Sequence, residues 1–189
     1  GLGDVYKRQS HYNFKLFSKN EVEEGFFDGV DMVVFPGGIG DSDSYDTILK
    51  NNKDVVVDFV TRGGKYLGIC MGAYWADKDY FDILDDVRVV QYIKQSNTCT
   101  RRPHAKNMPT NWFNGHYEKM FFYDGPTFTG HGSYKTIAAY DTTGYPMAIK
   151  QNNIMLIGCH PESEQFWYDS YSWMKGYYHR AVSYTHLRA

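Results

Sequence analysis

The stretch Lys65-Tyr66-Leu67-Gly68-Ile69-Cys70-Met71-Gly72-Ala73-Tyr74 constrains the fold more than any other part of this chain. A short apolar run ends on Gly-x-Cys-x-Gly, and a helix-compatible segment follows at once. That order describes a strand, a sharp corner and a helix, the cysteine form of a nucleophile elbow. The two glycines are expected where a Cβ would strike the neighbouring strand or block a substrate. A helix N-terminus beyond the corner offers unpaired N–H groups and a partial positive charge, and both favour thiolate over thiol. Cys70 is therefore the candidate nucleophile.

Two further segments share the same pattern. Asp31-Met32-Val33-Val34-Phe35 is a continuous apolar run, as in a strand buried on both faces of a parallel sheet, and it stops at Pro36-Gly37-Gly38. Asn153 to Gly158 is a second such run and ends at Cys159-His160-Pro161-Glu162. Between the first run and the elbow, apolar residues at Ile48, Val56, Phe59 and Val60 recur at helical spacing from about Ser44 to Arg62, with Gly63-Gly64 as a stop. Alternating strand and helix predict a parallel α/β sheet with crossover helices. Ligands of open α/β sheets bind beyond the carboxyl ends of the strands, so the three turns would converge if their strands are neighbours.

The rest of the chain reads as follows. His11 to Phe17 alternates and predicts a strand, Asn20 to Gly29 is turn-like, and Val87 to Ile93 predicts a strand. Gln95 to Thr110 is polar and predicts a loop. Trp112 to Tyr123 and Thr127 to Gly132 predict antiparallel strands about an Asp124-Gly125-Pro126 turn, and Lys135 to Tyr140 and Met147 to Lys150 predict two more. The aromatic segment Glu164 to His179 predicts a helix closing over the sheet.

Chemistry assigns the roles. A thiol attacking an acyl carbon needs a base, which His160 supplies in this reading. Glu162 is close enough in sequence to fix the tautomer of the imidazole and balance its charge. The developing oxyanion needs preorganised donors, for which the amides of Gly38 and Met71 are the candidates, while Gly37 and Tyr74 would line the substrate site. No Gly-Lys-Ser/Thr follows Gly37-Gly38-Ile39-Gly40, which argues against a phosphate loop. Cys99, His104 and His116 match no metal-ligand spacing, so neither metal nor cofactor is expected.

Composition narrows the setting. A formal charge of −2 over 189 residues gives no reason to expect nucleic acid or an anionic membrane as partner. No apolar run reaches the roughly 18 residues of a membrane span. Three cysteines form no Cys-x-x-Cys pair, and an odd, sparse set fits a reducing compartment, favouring the cytoplasm. Residues 1–9 and 181–189 resemble translated sequencing-adapter sequence, which leaves a single domain over residues 10–180.

Gly68-Ile69-Cys70-Met71-Gly72, with Pro36-Gly37-Gly38 and His160-Pro161-Glu162, resembles the class I glutamine amidotransferase superfamily. Extended through Ala73-Tyr74-Trp75, the elbow most resembles the domain at the N-terminus of biotin–protein ligases and in stand-alone bacterial relatives. The resemblance spans roughly residues 28 to 170. It implies a flavodoxin-like, mostly parallel sheet with flanking helices and an antiparallel extension. It also implies a Cys70–His160–Glu162 triad acting on an amide, and a ligase or synthase as partner. Two departures stand out. Tyr74 occupies a place where glutamine amidotransferases carry Gln or a similar residue, which speaks against glutamine as substrate. Relatives also begin with a further strand and helix, implying N-terminal truncation. A binding or regulatory domain that keeps the elbow only as scaffold is the alternative.

Overall fold

The computed structural model describes residues 13–38, 45–46 and 49–178. Its main sheet has seven strands in the order β1-β2-β9-β8-β7-β4-β5, where β1 is Met32–Phe35, β2 Lys65–Ile69, β4 Lys106–Trp112, β5 Tyr117–Phe122, β7 Lys135–Tyr140, β8 Pro146–Gln151 and β9 Ile154–Ile157. The strands β1, β2 and β9 are parallel neighbours, with Phe35 opposite Gly68 and Gly68 opposite Leu156. The strands β8, β7, β4 and β5 continue the sheet through antiparallel pairings. A separate ribbon pairs β3 (Val87–Gln91) with β6 (Pro126–Gly130).

Alternation along the strands sends successive side chains to opposite faces, and two aromatic-rich cores result. One holds Phe35, Tyr66, Trp75, Phe81 and Leu156; the other holds Ile69, Tyr92, Phe122, Tyr140 and Ile157. The helix α1 (Lys53–Thr61) buries Val56, Phe59 and Val60 on the first. It ends in a Schellman turn: the Gly64 N–H donates to the Phe59 carbonyl, and Gly63, at φ 97°, donates to that of Val60. Ile48 lies outside the described residues.

Five expectations need correction. Residues 13–17 form no strand; the Phe17 ring instead packs on Phe26, Phe27 and Phe35 at 5.5, 5.7 and 6.2 Å, and residues 11–12 lie outside the described set. The run at β1 is not buried on both faces, because β1 is an edge strand of the described sheet with Met32 46% and Val34 37% exposed. The expected loop 95–110 yields its last five residues to β4. Pro109 is tolerated there because β4 pairs with β7 only from Thr110 onward, so its missing N–H interrupts no described bond to β7. Finally, β5 and β6 do not pair about Asp124-Gly125-Pro126. The chain instead crosses between sheets, with Asp124 at φ 55° and Gly125 against the Gly158 carbonyl, where a Cβ would collide. The closing helix is also shorter than expected: α3 spans Gln165–Asp169, followed by turns.

Candidate active site

The three strand ends meet. Because β1, β2 and β9 are adjacent and parallel, Gly37, Cys70 and His160 emerge side by side at one edge. A Cβ placed on Gly37 would lie 2.6 Å from His160 Nδ1 and 3.3 Å from Cys70 Cβ, closer still to His160 Cε1. The strand end after β1 therefore forms a wall of the site, and only glycine leaves the imidazole its place.

Cys70 has φ 48° and ψ −102°, a strained conformation for a residue with a side chain. The structure holds it there from several directions. Its N–H donates to the Ile157 carbonyl at 2.8 Å, and its carbonyl accepts from Ala73 and Tyr74 at the start of α2 (Met71–Tyr74). The buried Tyr66 hydroxyl donates to the Gly72 carbonyl at 2.7 Å. Gly72 itself rests against the Phe35 carbonyl, where a Cβ would collide, so β1 and the elbow interlock. The amide of Met71 is among the first N–H groups of α2, which have no partner within the helix. Gly38 is exposed and lies against the Met71 side chain, whose terminal methyl a Cβ would approach to 2.5 Å.

His160 Nδ1 and Glu162 Oε1 are 3.0 Å apart, with side chains 4% and 3% exposed. Burial acts most strongly and opposes the imidazolium. Negative charge on Cys70 and Glu162, and hydrogen bonds to both, outweigh it and push His160 up to about 10. The His160 backbone is fixed as well: its N–H donates to the Phe121 carbonyl at 2.8 Å, and its ring meets Phe121 and Trp167 edge-on at 5.8 and 5.1 Å. Cys159, next in sequence, differs in kind. It is completely buried, and burial, reinforced by charge on Cys70, pushes its thiol well up.

Two groups at the site were not legible in the sequence. The Cys70 thiol donates to the Tyr123 carbonyl, with Sγ 3.7 Å from the oxygen. One residue on, the Asp124 carbonyl accepts from the Tyr74 hydroxyl at 3.0 Å, so Tyr74 is tied to the wall of the site. Both carbonyls belong to the crossing between β5 and β6, which the sequence presented as a plain hairpin turn. The unusual φ at Asp124 was the only signal, and it is a conformational one. Among the described residues, Cys99, His104 and His116 come into no cluster able to hold a metal ion.

Comparison with known proteins bears on the fold. The fold is shared with solved structures: one described as a glutamine amidotransferase superposes with TM-score 0.63 at 18% identity, covering 84% of this chain and 82% of the other. PurLQS from Thermotoga maritima superposes with TM-score 0.56 at 13% identity (79% and 74% covered), and a glutamine amidotransferase from the same organism with 0.53 at 15% (75% and 62%). Residues 8–91 match the family described as biotin-protein ligase, N terminal. The matched segment includes β1 and the Cys70 elbow and ends before His160 and Glu162. No functionally curated protein matches the sequence.

Proposed function

We propose that this domain is a cysteine-dependent amide hydrolase or amidotransferase-like enzyme in which Cys70 is the nucleophile, His160 the acid–base and Glu162 the orienting carboxylate. The observation that carries this reading is the convergence of three strand ends on a buried Cys70–His160–Glu162 cluster at a strained elbow. The Cys70 thiol passes its proton to His160 Nε2 as the sulfur attacks the amide carbon, and the carbonyl oxygen becomes an oxyanion held by the amides of Met71 and Gly38. Collapse breaks the C–N bond while His160 gives its Nε2 proton to the departing nitrogen, leaving a Cys70 thioester. Water then attacks the thioester, His160 takes its proton, and the acid leaves as the thiol is restored. Glu162 holds Nδ1 throughout, so Nε2 faces the chemistry. Gly37 and Tyr74 line the approach, and no cofactor enters the scheme.

The substrate is a small amide other than glutamine, given Tyr74. The match to a region described as the N-terminal part of a biotin–protein ligase supports a ligase as partner, with a synthase as the other choice, in the cytoplasm. The second reading, a binding domain without turnover, is favoured by one observation: Cys70 is only 7% exposed and its thiol is engaged by the Tyr123 carbonyl. Ammonia or amine release from a panel of primary and secondary amides, wild type against Cys70→Ala, separates the two. Release by wild type alone supports the enzyme. Identical traces, together with iodoacetamide labelling of Cys70 no faster than of Cys99 below pH 7, would establish the binding domain.

A further inference from the structure

An acid–base group that protonates a departing nitrogen must lie within hydrogen-bond reach of it. The amine half of an amide therefore sits against the His160 imidazole, and whatever surrounds that ring meets the substituent on the nitrogen. Those surroundings are aromatic. The Trp167 ring meets the imidazole edge-on at 5.1 Å, and Phe121 does so at 5.8 Å. From these two the rings continue outward. Phe166 lies 6.2 Å beyond Trp167 and is 62% exposed. Phe121 meets Tyr171 at 6.3 Å, and Tyr171 meets Tyr123 at 6.5 Å. Tyr123 is 43% exposed, and its carbonyl is the one that accepts from the Cys70 thiol. Tyr168, buried 5.3 Å from Phe121, anchors the short helix α3 and so holds Phe166 and Trp167 to this edge.

On the amide-cleaving reading above, we propose that this arc of rings is the amine-side subsite, and that the substrate is a secondary amide whose nitrogen carries an aromatic ring. Apolar side chains exposed singly are ordinary on a protein surface, whereas a contiguous set marks a place where something binds. Here the set starts at the imidazole and at the residue that faces the thiol, so it is continuous with the site. A ring is favoured over an alkyl group of similar size because aromatic pairs gain from edge-to-face and offset contacts beyond the area they bury. The spacings along the arc, 5.1 to 6.5 Å, are those of such pairs.

The test uses the full chain carrying Cys70→Ala, which consumes no amide, and calorimetric titration with N-methylacetamide, N-(cyclohexylmethyl)acetamide and N-benzylacetamide. N-benzylacetamide is expected to bind at least about tenfold more tightly than N-methylacetamide and about threefold more tightly than the cyclohexyl probe. Phe166→Ala and Tyr123→Ala, added to that variant, should each remove at least about threefold of the N-benzylacetamide affinity and leave N-methylacetamide unchanged. Phe113→Ala, at an exposed ring on the hairpin between β4 and β5, should change nothing. Equal affinity for the benzyl and cyclohexyl probes, or for all three, overturns the proposal, as does no heat from N-benzylacetamide up to about 10 mM. So does an equal loss in Phe113→Ala, which would mark non-specific adsorption. Benzylamine release by wild type separates this result from the cleavage reading: the expected affinities without release support the ring subsite and overturn cleavage alone. The three probes decide the matter even if a ring variant fails to fold.

Discussion

Replacing Gly37 by alanine tests the site's geometry directly. The new methyl carbon would sit 2.6 Å from His160 Nδ1 and nearer still to Cε1. Non-bonded carbon and nitrogen need about 3.5 Å, so the imidazole must retreat by about 1 Å. It has nowhere to go without loss, because Phe121 and Trp167 close on it at 5.8 and 5.1 Å and Glu162 holds Nδ1 at 3.0 Å. Overpacking of this kind costs about 2 kcal/mol, which in a domain of this size lowers the melting temperature by about 6 °C. A displacement of about 1 Å in a reacting group can cost about 10²-fold in rate. On a Cys99→Ser background, Cys70 alkylation by iodoacetamide at pH 7 should slow at least about tenfold, because an imidazolium moved away no longer supports the thiolate. A double-mutant cycle assigns the cause: in His160→Ala, with the clash removed, Gly37→Ala should cost almost nothing further. If Gly37→Ala keeps the wild-type labelling profile and melting temperature, the wall role given to Gly37 is wrong.

Other outcomes follow from the same contacts. His160 is raised from 6.5 to about 10, so between those values the folded state holds a proton that the unfolded state has released. Its contribution is complete below about pH 6.5 and lost as pH rises toward about 10, and urea midpoints at pH 6, 8 and 10 should fall in that order. Glu162→Gln removes one of the charges that raise His160 and should shift its imidazole titration, followed by NMR, downward; an unchanged titration would contradict the pairing. Tyr66→Phe deletes a buried hydrogen bond to the Gly72 carbonyl and should destabilise by about 1 kcal/mol in urea unfolding. Asp77 is buried and accepts from the Arg88 guanidinium at 2.9 Å and the Val89 amide at 2.7 Å, so Asp77→Asn should cost about 3 kcal/mol by the same measurement.

The parallel part of the fold was legible because its signals are local. Apolar runs at 32–35, 65–69 and 154–157 each end on a turn whose residues suit a strand terminus, and the helix over 53–61 shows both its periodicity and its glycine stop. The convergence of the turns required strand order, which no spacing contains. The middle of the chain was harder for a definite reason. Pro109 and Asn107 carry turn chemistry, yet the sheet takes them because β4 is partnered there on one side by β5. Asp124-Gly125-Pro126 has the composition of a hairpin turn but serves as a crossing, since glycine at 125 also allows close approach to the Gly158 carbonyl. Local chemistry was the same for both outcomes, and tertiary packing chose between them. The carbonyls of Tyr123 and Asp124, which accept from Cys70 and Tyr74, were hidden for that reason: backbone groups leave no mark on residue type.

The strand order has a bearing on how the molecule matures. The elbow strand β2 is flanked by β1, thirty-odd residues earlier, and by β9, almost ninety residues later. Pairings of such sequence separation form late, because the entropy of closing the intervening loop is lost before contacts compensate it. A nascent chain ending before β9 would carry the thiol at Cys70 with no imidazole beside it. On the proposed reading its chemistry would be switched on only when residues 154–160 dock, which would make the labelling rate of Cys70 a clock for completion of the whole sheet. Followed during refolding, it should lag the recovery of secondary structure and coincide with the last step of folding.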